Sequence, residues 1–460
     1  MKKLARAIVK MRRLILIAAV LLLIPAAVGA IATPINYDIL SYLPQELDSR
    51  VGQLLLETDY HLASTNMITV EGMPTNELLA MKAEIDEVPD VLNTFWLSDV
   101  LDPAVPTEML PADVQQFMFG KNDSTILIVQ LGGSSVSEET MQAVAQIKKI
   151  LRKDCFFGGI SVILSDTKEL VMGEMPWYVL CAVGGCLLVL FLSLESWLTP
   201  FLFMLGLLFP LVYNFGTNIF LGQVCYITKS LTAVLQLGVT MDYSIFLLDA
   251  FTREKKKGLS DEEAMVDAVD AAINSIFASS LTTIAGFVAL MFMKFSIGFD
   301  MGLVLAKGIV FSLLTVVLFM PAMIFRFAKW NEKTAHRPFL PDFHKMGRGI
   351  YKIRNIALVI MILVVPFAYT AQGMNSFLFG NSAVGVSEGT QVYADEQAIN
   401  EKFGRSNMLV AIYPNTSAIT EKAMSDEIED LEYVKSVTSM ANTLRSEERR
   451  VGKECRSRWS

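Results

Sequence analysis

Gln236-Leu237-Gly238-Val239-Thr240-Met241-Asp242-Tyr243-Ser244-Ile245-Phe246-Leu247-Leu248 decides how this chain is read, because a lone carboxylate stands inside an apolar run. The run, roughly 224–248, is long enough to cross a hydrocarbon core of about 30 Å as a helix. Counted inward from Ser230 at about 1.5 Å per residue, Asp242 lies about 18 Å deep, past the midplane. A carboxylate there costs at least about 2.5 kcal/mol on insertion scales, so it is expected to face the interior of a helix bundle and to serve ion or proton movement. Held away from water, it can take a proton from one side and release it to the other. Thr240 and Tyr243 are candidates to donate hydrogen bonds to its ionised form. A carboxylate that only pins helix packing is the structural alternative.

Six further apolar runs surround this one: Leu14–Asn36, Met175–Leu194, roughly 198–220, Ile273–Met293, roughly 302–325 and 356–374. The chain of 460 residues is 53% hydrophobic and 19% charged, below the roughly 25% charged of soluble domains, so lipid is the expected solvent for much of it. Lys2, Lys3, Arg6, Lys10, Arg12 and Arg13 precede the first run. Its uncharged length favours a retained anchor over a cleaved signal peptide. By the positive-inside rule the N-terminus is cytoplasmic. Alternating the runs puts the basic turns at Arg253–Lys257 and Arg326–Arg354 on the cytoplasmic side and the turns near Gly222 and Ile297 outside. Asp249, close to Arg253, is assigned to the inner interface. The expectation is a multi-pass protein of the plasma membrane with its large domains external.

Residues 37–172 carry 21 Asp and Glu against 8 Lys and Arg, which marks a water-exposed, acidic region. It reads as two strand–helix–strand units. Asn66–Val70, the helix Thr75–Glu87 and Leu92–Leu97 form the first. Thr125–Leu131, the helix Ser137–Lys153 with a start signal near Ser135 and Glu138, and Ile160–Leu164 form the second. That order predicts a split βαβ, ferredoxin-like module.

A shift of 341 residues lays Arg13 on Arg354, Pro25 on Pro366 and Asn66-Met67 on Asn407-Met408, so the chain begins a second copy of itself. One unit holds six spans, an even number, which makes the repeat parallel about an axis along the membrane normal. The expected division is a cytoplasmic N-terminus with the first span (1–36), an external α+β domain (37–172) and five spans (173–330). A cytoplasmic linker (331–353), a seventh span (354–374) and the start of a second external domain (375–444) follow. Arg445–Ser460, with five Arg and one Lys, reads as a non-biological, adapter-derived tail.

Other residues carry weaker chemistry. Lys307, about 15 Å deep from Ile297, either pairs with Asp242 or snorkels to the headgroups. Thr282 and Thr283, in a stretch of small residues, either let helices approach closely or complete a hydrogen-bonded relay around Asp242. Ser260 and Glu263 form a capping box that opens a short cytoplasmic helix up to Ala272. Five Cys and three His show no metal-ligand spacing and no disulfide framework, and no cofactor is expected. The net charge of −8 implies no nucleic-acid partner, and no Gly-rich phosphate loop points to an ATP-driven pump.

One span, a large external domain, five more spans and a parallel copy resemble the resistance-nodulation-division (RND) superfamily. Gly238-x-x-x-Asp242-Tyr243-x-x-Phe246-Leu247, followed by Arg253-Glu254, by Ser280-Leu281-Thr282-Thr283 and by Gly286-Phe287, is similar to its MMPL branch over residues 1–444. The resemblance implies a membrane all-α helical bundle, RND-type, with about seven transmembrane helices present and with external α+β, porter-like domains. It also implies proton coupling at Asp242 and Tyr243, and export of lipids or hydrophobic and amphiphilic compounds driven by the proton gradient rather than enzymatic chemistry. Membrane lipids, such a substrate and protons are the partners it suggests, with a homo-oligomer left open. A lipid- or sterol-sensing membrane receptor and a protein-export accessory subunit of the same superfamily remain as rival readings.

Overall fold

The computed structural model describes residues 2–59, 64–99, 115, 118–334, 336, 344–375, 390–403, 410–434, 437 and 439. Two compact units divide it, Met1–Ser406 and Asn407–Ser460.

A basic helix α1 (Lys2–Lys10) leads into the first long apolar helix, α2 (Arg12–Ala32). The chain then leaves the apolar zone through the short strand β1 (Ile35–Asn36) and the helix α3 (Asp48–Thr58). The α+β region that follows, called the external domain after the expectation from its sequence, is built from β2 (Ser64–Glu71), α4 (Thr75–Asp86), β3 (Val91–Phe95), β4 (Phe119–Gly120), β5 (Ser124–Leu131), α5 (Glu138–Ile150) and β6 (Cys155–Gly158). Its sheet runs β3-β5-β2-β6, with β4 beside β5, and all its pairings are antiparallel. β5 therefore lies between the two strands of the first strand–helix–strand unit, and the two units interleave. Asn122 and Asp123, both at positive φ (60° and 53°), make the tight turn from β4 to β5 that the right-handed strand twist favours. Alternate strand residues Ile68, Val70, Leu127 and Val129 meet Leu78, Met81 and Ile85 of α4 and Val144 and Ile147 of α5 in one apolar core.

Two sequence expectations fail here. Ile160–Leu164 is not the closing strand: β6 ends at Gly158, and Gly159, at φ 139°, turns the chain into the helix α6 (Ile160–Ser193). A short β-branched apolar run reads equally as strand or buried helix. In addition, the cap of α5 is Ser137, whose Oγ accepts from Thr140 N at 3.1 Å, rather than Ser135. At 34 residues and about 1.5 Å per residue, α6 is about 51 Å long, well beyond a bilayer core. Its first turns, with Val162 and Ile163, are buried in the external core, so one rigid rod joins that domain to the membrane. The expected boundary at 172/173 falls inside this helix.

The remaining apolar helices are α7 (Thr199–Gly216), α8 (Tyr226–Lys255, preceded by β7, Val224–Cys225), α9 (Asp261–Leu290) and α10 (Ile297–Leu314). A single π-helical stretch, Thr315–Phe319, connects α10 to α11 (Met320–Lys333), and α12 (His344–Gly373) follows. Seven stretches among the described residues are long and apolar enough to cross a membrane: Arg12–Ala32, Ile160–Ser193, Thr199–Leu221, Tyr226–Lys255, Asp261–Leu290, Ile297–Ala328 and Ile353–Gly373. The Ser260–Glu263 capping box is present, but the helix it opens runs unbroken through the fifth span instead of stopping at Ala272.

The ends of the bundle sort cleanly. β1 pairs in parallel with β7, and Ser296 N and Oγ donate to Tyr42 O at 3.1 and 2.6 Å, so the turns at 217–225 and 291–297 lie on the external domain's side. At the other end Lys2 bridges Asp267 at 2.9 Å and Arg12 bridges Glu262 at 3.1 Å.

Helices recur at the repeat offset or within two residues of it. The spans starting at Arg12 and Ile353 are 341 residues apart. α13 (Gln391–Phe403) and α14 (Ala418–Glu429) start 343 residues after α3 and α4. The Asn407-Met408 match lies outside the described residues. α13, assigned from sequence to the second external domain, instead packs on β6 of the first, with Asp395 accepting from Phe157 N at 3.3 Å and Lys402 bridging Glu71. In the second unit, α14 is capped by Ser417, which accepts from Thr420 N at 3.3 Å.

Candidate functional site

Opposite faces of α8 have opposite surroundings. One face turns inward, with Thr228, Thr232, Gln236, Thr240, Tyr243, Ser244 and Leu247 all buried. Polar side chains are costly there unless each finds a partner, and Gln236 and Thr240 find theirs on α7 and α10. Asn214 Nδ2 donates to Gln236 Oε1 at 2.9 Å and to Val304 O at 3.1 Å. Gln236 Nε2 donates to Gly308 O at 3.2 Å and to Ser312 Oγ at 3.4 Å. Ser312 Oγ in turn lies 2.6 Å from Thr240 Oγ1. Gly308 makes this crossing feasible, since a Cβ there would fall 2.5 Å from Asn214 Nδ2 and 3.0 Å from Gln236 Oε1.

The polar chain continues toward the external domain. Lys307 Nζ donates to Asn218 Oδ1 at 2.5 Å and to Asn214 O at 3.2 Å. Seven residues earlier on the same helix, the Asp300 carboxylate accepts from Thr228 Oγ1 at 2.6 Å and Cys225 N at 3.0 Å. Asp300 therefore holds the β7 turn, which itself pairs with β1 at the base of the external domain. Next to this clamp, burial pushes the Tyr42 hydroxyl and the Asp38 carboxyl above their ordinary values.

Asp242 belongs to the other face. Exposed residues recur along α8 at Leu231, Val234, Leu235, Gly238, Asp242, Phe246 and Asp249, a helical stripe that the six-helix bundle leaves uncovered. The expectation that Asp242 faces the bundle interior is therefore corrected. Helical geometry turns each residue about 100° from the last, so Thr240 and Tyr243 take the inward face and the carboxylate cannot share it. No hydrogen bond or ion pair to Asp242 occurs among the described residues. Asp249 is exposed, 4.0 Å from Arg253.

The other sequence candidates separate in the same way. Lys307 neither pairs with Asp242 nor reaches outward: its head is held by Asn214 of α7 and by Asn218 in the turn that follows it. The Tyr243 hydroxyl is buried without a hydrogen-bond partner among the described residues. Thr282 and Thr283 return their hydroxyls to Ala278 O and Ser279 O of their own helix, each at 3.1 Å, and they do not join a relay around Asp242. Sequence reasoning missed Asp300, Asn214, Asn218, Gln236 and Ser312. The available signal was the amide side chains themselves, since an Asn or Gln in a lipid-embedded helix needs a partner. Among the described residues no cluster of His, Cys, Asp and Glu could hold a metal ion.

Related sequences match this chain at low identity. MJ1562 of Methanocaldococcus jannaschii is 23% identical over 290 residues, covering 60% of this chain and 71% of its own. YdgH of Bacillus subtilis is 24% identical over 47% of this chain, and the swarming motility protein SwrC of the same organism is 21% identical over 55%. The chain spans about a quarter of the length of these last two relatives. Among solved structures, SecDF in its super-membrane-facing form overlays 71% of this chain and 39% of its own at 13% identity, with a TM-score of 0.36. The seven spans and the relatives together make this a multi-pass membrane protein. The MMPL family profile matches residues 43–348, from the base of the external domain through every helix that builds the polar chain and the Asp242 face, and the chain belongs to the MMPL family.

Proposed function

We propose that this chain carries one six-helix unit of an RND-type exporter of lipids or other hydrophobic and amphiphilic compounds, driven by the proton gradient through Asp242. The observation that carries the reading is the position of a carboxylate on an uncovered helix face, at a depth where lipid contact is costly. Such a face needs a protein or water neighbour, and a second six-helix unit, of the kind the internal repeat begins near Arg354, is the natural one. Gly238 beside it has no atom within 4 Å of where a Cβ would stand, which leaves room for a close helix crossing.

Protonation removes the charge and with it the penalty for a dry, tightly packed contact. Ionisation restores the need for polar neighbours, so proton occupancy biases how the two units pack. α6 is a continuous rod from the membrane into the external core, and the Asp300 clamp ties the bundle to β7 and β1; both are routes by which a packing change reaches the external domain. The interleaved strand order of that domain supports a ferredoxin-like, porter-type reading. The basic residues at the end opposite the domain favour a cytoplasmic N-terminus.

The test uses the full-length protein in proteoliposomes with an imposed pH gradient and a fluorescent amphiphile as cargo. Asp242→Asn is expected to abolish gradient-driven movement while the protein remains folded. Undiminished, gradient-dependent movement in that variant would falsify the proposal.

A further inference from the structure

A second site lies on a different part of the bundle. A cleft of about 500 Å³ opens between α6 and α8 beside β1, within the size range of small-molecule sites. Met172, Met175, Val179 and Val183 of α6 form an apolar wall, and the cleft also takes in Lys229 and Ser230 of α8. The rings of Tyr37 and Tyr226, stacked with centroids 5.6 Å apart, contribute to its lining.

Two observations identify the occupant. Lys229 is half-buried, and its ammonium has no hydrogen bond or ion pair among the described residues, whereas Lys168 nearby is matched by Glu138 at 2.9 Å. A partly desolvated cation without a counter-charge favours an anionic guest. The cleft lining contains no Asp or Glu, so no carboxylate in it would offset the cationic end of a zwitterionic head group. The second observation is depth. Trp177 and Tyr178, adjacent to Pro176 of the cleft, are exposed, the placement of aromatic residues at a membrane–water interface.

We propose that this cleft holds one anionic phospholipid drawn from the leaflet on the external-domain side. Its phosphate lies at Lys229 Nζ and an acyl chain lies along Met175, Val179 and Val183. The site involves neither Asp242 nor the buried polar chain, and it stands whether or not the protein exports lipid.

Native mass spectrometry of the purified full chain, released from nanodiscs of mixed phosphatidylglycerol and phosphatidylcholine, tests it. The wild type is expected to retain one phosphatidylglycerol in preference to phosphatidylcholine. Lys229→Gln is expected to lower that preference roughly fivefold, the effect of one basic residue at an anionic headgroup, and Lys229→Arg to keep it. Val179→Trp, which fills the cleft, is expected to lower retention of both lipids. Equal retention of the two lipids by the wild type, or an unchanged preference in Lys229→Gln, overturns the proposal. Displacement of phosphatidylglycerol by palmitate at equal concentration also overturns it, because the occupant would then be a single-chain acid.

Discussion

The two faces of α8 differ by a rotation of the helix and by little in composition, yet they play opposite parts. Inward, Gln236 and Thr240 meet Asn214 and Ser312 in a connected set of hydrogen bonds. Outward, Asp242 sits among Leu235, Gly238 and Phe246 with no partner among the described residues. Polar groups tied to neighbouring helices fix which way a helix faces. A polar group left open is the one free to change its state.

The comparison breaks most sharply at Asp242. Asp242→Asn is expected to remove gradient-driven transport altogether while leaving the thermal midpoint in detergent unchanged, because the carboxylate makes no hydrogen bond or ion pair among the described residues. The inward face should behave the other way. Gln236→Leu leaves one N–H of Asn214 without its acceptor in an apolar interior, while Ser312 Oγ keeps Thr240 and Gly308 O. One buried unsatisfied group costs about 1–3 kcal/mol, so the unfolding midpoint should fall in a denaturant titration. Gly308→Ala forces a methyl against Asn214 and Gln236. Because side chains rather than backbone must yield, its cost belongs at the low end of the roughly 1–3 kcal/mol typical of overpacking.

A smaller effect comes from Asp38. Burial holds its carboxyl above the ordinary carboxylate range, so the folded chain binds that proton more readily than the unfolded one. Its contribution to stability is greatest below the ordinary carboxylate value and declines as pH rises from there to the raised value. Stability measured across mildly acidic pH should therefore slope less in Asp38→Asn than in the wild type. Thr282→Ala sharpens the comparison from the other side. Among the described residues its hydroxyl bonds only its own helix, so transport should be unaltered and stability should move by less than about 0.5 kcal/mol. A large transport loss there would return Thr282 to the relay.

How much of this was legible in the sequence depended on the kind of signal. Strands β2 and β5 were, because Asn66–Val70 and Thr125–Leu131 are rich in β-branched residues between turn signals. The spans were, because charge-free runs of that length have few other uses. The start of α6 was not, since Ile160–Leu164 fits either period and only the sheet's fourth place, taken by Cys155–Gly158, decides between them. At the site, the identity of Asp242 was readable but its direction was not. α8 has apolar residues all around, so no hydrophobic stripe marks its inner face. The polar chain was hidden for another reason: its members at 214, 218, 236, 300, 307 and 312 are scattered over three spans, and only packing brings them together.

Infrared difference spectroscopy of the full-length protein in lipid, recorded across a pH titration, tests most directly whether Asp242 carries the proton. The expected result is a protonated-carboxyl C=O band that grows as pH falls, is lost in Asp242→Asn and persists in Gln236→Leu. A band that is the same in wild type and Asp242→Asn would contradict the account, because the proton would then reside elsewhere.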